Sequence, residues 1–222
     1  MYPKFIAKAL FIPLFISICV MTLSACEQNS KEPDTHQAAI SSASTPDDLA
    51  YQTFLSSLAK NQVLPAYQQL EQAANSFKQT LQTNCNTVET AEPKWSVVQA
   101  KWVALNRTWQ TIQWLRLGPI KGSNLHSRIQ YWPDANGAVE RGVGQLFAKD
   151  PSPSLSQLSQ MNVGAQGLPA AELILFSQLY QAADMQATRC ELLLLIATNI
   201  TEMAKKVSSE WQMSADFYSQ FV

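Results

Sequence analysis

Three apolar stripes, stepped at three and four residues, constrain this 222-residue chain more than anything else in it. Val63, Tyr67, Leu70, Ala74, Phe77 and Leu81 form the first, and Trp95, Val98, Trp102, Leu105, Trp109 and Ile112 the second. Arg189, Leu193, Ile196, Ile200, Met203, Val207 and Trp211 form the third. Side chains at this spacing share one helix face, and such a face is stable only when buried against another. No strand-like alternation of any length accompanies them. The expectation is an all-α fold, an up-and-down helical bundle with one core. Trp95, Trp102 and Trp109 lie on a stripe and are assigned to that core, whereas Trp114 falls off it.

The start of the chain reads differently. Met1 to Ala25 carries Lys4 and Lys8, then an apolar run from Ala9 to Val20, then small residues before a cysteine, the pattern of a secretory signal. Leu23-Ser24-Ala25-Cys26 has the form of a lipobox, so Cys26 is expected to become a lipidated N-terminus that anchors the protein in a membrane. Glu27, rather than an aspartate, follows it, as in lipoproteins sent to the outer membrane facing the periplasm. The alternative is a plain signal peptide that leaves Cys26 as a thiol. Residues 26–46 are poor in large apolar groups and read as a flexible tether that includes His36. Removing residues 1–25 leaves 14 basic against 17 acidic residues, which gives no electrostatic case for nucleic acid.

Residues 47–222 form the helical domain. Thr45-Pro46-Asp47-Asp48 has the hydroxyl, proline and acids of a helix start, with Tyr51, Phe54, Leu55 and Leu58 as the buried face of that helix. Pro65 is expected to break or bend the pattern. Leu117-Gly118-Pro119 stops the Trp helix, and residues 118–137 make the longest polar connection, carrying His126, Arg128, Tyr131, Trp132 and Asp134. Val139, Val143 and Leu146 suggest a short helix, and Ser154 can cap another.

Val163 to Phe176, V-G-A-Q-G-L-P-A-A-E-L-I-L-F, switches from glycine punctuation to a dense apolar helix. Gly164 and Gly167 are read as freeing the backbone for a turn, and Pro169 as a first-turn proline. Glu172 has two readings: a helix-start acid that steadies its own backbone, or a functional carboxylate.

G-L-P-A-A-E-L-I-L-F resembles the signature of the imelysin family, bacterial envelope proteins classed with metallopeptidases, whose pattern is written G-x-H-x-x-E. Gly167 and Glu172 match its ends, and Pro169 stands at the histidine. R-L-G-P-I followed by R-I-Q-Y-W-P-D is a second match in order and spacing. The resemblance implies an envelope-anchored binding or accessory lipoprotein in iron acquisition. Iron or another divalent metal is then a possible cofactor, and an envelope protein of iron uptake a possible partner. It also implies two related bundles, of which this chain carries the first. The site residues it suggests are Glu172, Arg116, Arg128 and Asp134, converging on one hollow. Arg116 can instead bond the last carbonyls of the Trp helix, and Asp134 can simply open the next turn. The competing readings are a zinc-dependent peptidase and a structural or truncated product. A zinc enzyme wants three protein ligands, and the chain has two histidines and no H-E-x-x-H.

With Cys19 in the signal and Cys26 lipidated, Cys85 and Cys190 remain in a disulfide-permissive compartment. They fall at the end of one long helix and near the start of another, ends that an up-and-down bundle can place side by side. A Cys85–Cys190 bridge is expected, two free thiols being the alternative.

Overall fold

Asp47 opens the first helix, α1 (Asp48–Leu58), by accepting the Leu49 N–H at 3.5 Å, two residues later than a cap at Thr45 would place it. The computed structural model describes residues 47–86, 93–149 and 151–222, so the signal segment, Cys26 and His36 lie outside the described residues. Helix α1 contributes no buried residue. Tyr51 and Phe54, expected in the core, are 52% and 61% exposed. Their spacing is correct for a buried face, but α1 packs chiefly on the turn that follows it, and a stripe is buried only where an element lies opposite.

That turn, Ala59–Val63, is π-helical and leads directly into α2 (Leu64–Cys85). Pro65 therefore ends neither helix. It sits in the first turn of α2, and the widened turn before it absorbs the hydrogen bond and the space that a proline ring denies a regular helix. The first stripe is buried on α2, and the second on α3 (Trp95–Ile112), where Trp102 and Trp109 are 5% and 0% exposed. Trp114 is exposed.

Short elements follow: α4 (Leu125–Ile129), α5 (Ala138–Phe147), α6 (Leu155–Gln160) and α7 (Leu168–Phe176). Ser154 caps α6 in a full capping box with Gln157. The third stripe is α8 (Gln186–Glu210), and a last turn, α9 (Asp216–Phe221), sets Phe217 and Phe221 edge-on to Trp211 at 4.9 and 5.0 Å.

Four helices close a ring: α2 packs on α3 and α8, and α7 packs on both of those in turn. Their directions follow from single contacts. The Lys94 N–H donates to Asn84 Oδ1, and Cys85 is bonded to Cys190, so α3 and α8 both begin where α2 ends. Trp102 Nε1–H donates to the Leu168 carbonyl at 3.2 Å and Gln99 Nε2–H to the Leu175 carbonyl at 2.9 Å, so α7 runs against α3. The order is up, down, up, down, with the signature helix as the short third member. The described residues are all-helical and contain no strand.

Candidate ligand-binding cleft

The two signature glycines act by close approach. Neither has a positive φ. A Cβ on Gly164 would lie 2.3 Å from the Ala138 carbonyl oxygen, and one on Gly167 2.3 Å from the carbonyl oxygens of Arg128 and Ile129. The expected conformational role is thus replaced by a steric one: the turn is wedged between the start of α5 and the end of α4. This contact fixes where α7 starts, and with it the positions of Pro169 and Glu172.

Helix α7 begins at Leu168, so Pro169 is its second residue and Glu172 its fifth. The first intrahelical bond, Ala171 N–H to the Gly167 carbonyl, precedes Glu172. Glu172 is therefore past the unpaired N–H groups, and the helix-start reading of this acid does not hold. Its side chain faces a cleft of about 630 Å³ instead. Pro169, Leu173 and Phe176 share that wall, and Gln110, Gln130 and Trp132 stand among the residues opposite. Partial desolvation by these neighbours, with no cation to offset it, pushes the Glu172 carboxyl up from its ordinary value, although the residue is exposed along the cleft.

The facing wall is held by amide hydrogen bonds. Gln130 Oε1 accepts from buried Trp109 Nε1 at 2.5 Å and from Gln110 Nε2 at 3.4 Å, and Gln113 Nε2 donates to Gln110 Oε1. Trp132 is 77% exposed at the rim, and Phe176 meets the Trp102 ring edge-on at 5.4 Å. These glutamines carried no signal in the sequence. Polar residues at the end of a helix are common, and only the fold shows that three of them meet.

The four residues expected to converge do so in part. Asp134 lines the same cleft as Glu172. Both of its oxygens are engaged, Oδ1 by the Ala138 N–H at 2.7 Å and Oδ2 by the Val139 N–H at 2.9 Å, so it also opens α5. These backbone donors, that of Val139 foremost, hold its carboxyl below the usual range. Arg128 does not line this cleft. It faces a different depression, described below. Arg116 is exposed and lines neither; the Gln113 carbonyl at the end of α3 accepts His126 Nε2–H at 3.0 Å, not the arginine. Burial foremost, opposed by the hydrogen bond to the Gln113 carbonyl and aided by the Arg116 charge, keeps His126 below its ordinary value. No group of three His, Cys, Asp or Glu side chains lies together among the described residues.

Fold and cleft together define a four-helix-ring protein with an open, aromatic- and amide-lined cleft on its short third helix. The chain belongs to the imelysin family, whose model matches residues 63–222. The match begins at the last residue of the π-helical turn, so exposed α1 lies ahead of it. Among solved structures, an imelysin-like protein from Psychrobacter arcticum 273-4 superposes with a TM-score of 0.66 at 23% identity, a likeness of fold. The alignment covers 73% of this chain and 50% of that one, so the chain spans about half the length of this relative. No curated protein matches it.

Proposed function

We propose that this protein is a binding or accessory component of the bacterial cell envelope, tethered to the outer membrane through lipid on Cys26. In this reading it serves iron acquisition, and the Glu172 cleft is its ligand site. The observation that carries the reading is the pairing of Pro169 and Glu172 on one wall of that cleft. The family pattern sets a histidine and a glutamate three residues apart, a spacing that puts both on one helix face. Here the face is present and open, but the proline offers no donor, so the carboxylate acts as a recognition group without a partner ligand. Asp134, with both oxygens already on backbone N–H groups, adds negative potential more than a second free ligand. Such a site suits reversible capture, with Glu172 as the polar anchor and Trp132 and Phe176 as apolar contact surface.

Equilibrium binding of iron(II), iron(III) citrate and zinc to the purified protein, with a peptide-hydrolysis assay before and after chelation, tests this. Metal uptake that weakens in Glu172→Gln, with no chelator-sensitive cleavage, supports the proposal. Cleavage abolished by chelator, or binding indifferent to Glu172→Gln, overturns it.

A further inference from the structure

A second depression holds a cation that no carboxylate among the described residues pairs with. Arg128, on α4, lines a hollow of about 500 Å³ whose lining includes Ser123, Ser156, Ser159, Glu202 and Lys206. It shares no residue with the Glu172 cleft. The guanidinium is fixed from behind by two buried amides, Gln166 and Asn199, which are 1% and 3% exposed. Arg128 Nε–H donates to Gln166 Oε1 at 2.8 Å and Nη2–H to Asn199 Oδ1 at 3.5 Å.

Both amides are themselves oriented. Gln166 Nε2–H donates to the Met161 carbonyl at 2.6 Å, and Asn199 Nδ2–H to the Gln166 carbonyl at 3.1 Å. Each therefore has only its oxygen to offer the arginine, and both oxygens are neutral. A half-buried guanidinium normally meets a carboxylate, because desolvating an unpaired charge is costly. Glu202 is near enough to line the hollow, yet it makes no ion pair with Arg128. Burial lowers the affinity of Arg128 for its proton, and no carboxylate restores it. Of the five N–H donors of an arginine, two are used here, and the remaining fork is free for a ligand.

We propose that this hollow binds a small oxyanion, a carboxylate or a phosphate, taken by the open fork of Arg128 with Lys206 and the neighbouring serine hydroxyls. The fork matches two oxygens of either group, and Lys206 adds a second positive charge at the rim. Glu202 sets a selectivity: it repels ligands of high charge density and is relieved when its own charge is removed. The site is independent of the function proposed above, since it stands on a separate set of residues.

The test is titration of the folded protein with inorganic phosphate and with succinate, followed by calorimetry and by amide chemical shifts. Saturable binding of either, with shifts at Ser123, Arg128 and Asn199, is expected, and the two probes separate phosphate from carboxylate preference. Lys206→Gln should weaken it about threefold or more and Glu202→Gln should tighten it by a similar factor, both being exposed residues whose exchange leaves the core intact. Arg128→Lys keeps the charge but loses the fork, and should weaken binding about tenfold. Absence of saturable binding by both probes, shifts that map elsewhere, or affinities unchanged in Lys206→Gln and Glu202→Gln would overturn the proposal.

Discussion

Arg189 lies with its guanidinium carbon 3.8 Å from the centre of the Trp95 ring, and is itself only 2% exposed. The same group donates from Nε to the Ile174 carbonyl at 3.2 Å and from Nη2 to the Leu175 carbonyl at 3.0 Å, at the end of α7. A charge at the head of an apolar stripe is thus accounted for without an acid: two terminal carbonyls, the negative end of a helix dipole and an aromatic face take its place. Arg189→Met removes both donors, leaving the Ile174 carbonyl without this partner and the Leu175 carbonyl with Gln99 alone. It should cost about 2–4 kcal/mol in urea denaturation, within the range for breaking a buried charged network. A loss below about 0.5 kcal/mol would show that the arginine only fills space.

Cys85 and Cys190 are bridged across 105 residues, with Cα atoms 5.6 Å apart. The bridge fastens the end of α2 to the start of α8, and a loop of that length gives up considerable entropy in the unfolded chain. Cys85→Ser with Cys190→Ser should lower stability by about 2–5 kcal/mol. Thiol titration of the unreduced, unfolded protein should find neither cysteine free.

Gly167→Ala places a methyl group against two carbonyl oxygens of the backbone, neither of which can rotate away. It should destabilise by about 1–3 kcal/mol, as overpacking does, and should disturb Glu172 along with α4. Gly144→Ala, where open space surrounds the added carbon, is the control and should be neutral or better.

The two cleft acids should respond to pH with opposite sign. The Glu172 carboxyl is raised by desolvation, so the native state binds its proton more tightly than the unfolded chain does. Stability from this group is intact below the ordinary value of 4.5 and is lost as pH rises through the raised one. Glu172→Gln should therefore melt slightly higher than the parent at neutral pH, with the difference vanishing below 4.5. Asp134 is depressed by the backbone of α5, so its contribution is present above the ordinary 3.8 and fades as pH falls through the lower value. Asp134→Ala should lower the melting temperature at neutral pH and open the Ala138 and Val139 amides to hydrogen exchange. The reverse ordering of the two variants would contradict the geometry of the cleft.

How much of this was legible in the residues differs by element. The stripes of α2, α3 and α8 could be read directly, because a long helix repeats its burial pattern several times over. The same rule failed at α1, where Tyr51 and Phe54 have the right period and no opposing surface: periodicity reports what a face could bury, not what lies across from it. Glu172 and Asp134 were placed together through the family signature and not by spacing, since they are far apart in the chain. The glutamine wall, and the separation of Arg128 from the cleft, depend on how α4 and α7 abut through Gly167, a contact with no local sequence mark beyond the glycine.

That contact makes a hinge point of eight residues. Between Met161 and Leu168 the chain supplies the carbonyl that orients Gln166, the side chain that aims Arg128, and the spacer that sets the phase of Pro169 and Glu172. The two hollows thus both depend on one turn. Lengthening or shortening it by a single residue would rotate the helix beyond by about 100°, since a residue adds a fraction of a turn, and would spoil both faces at once.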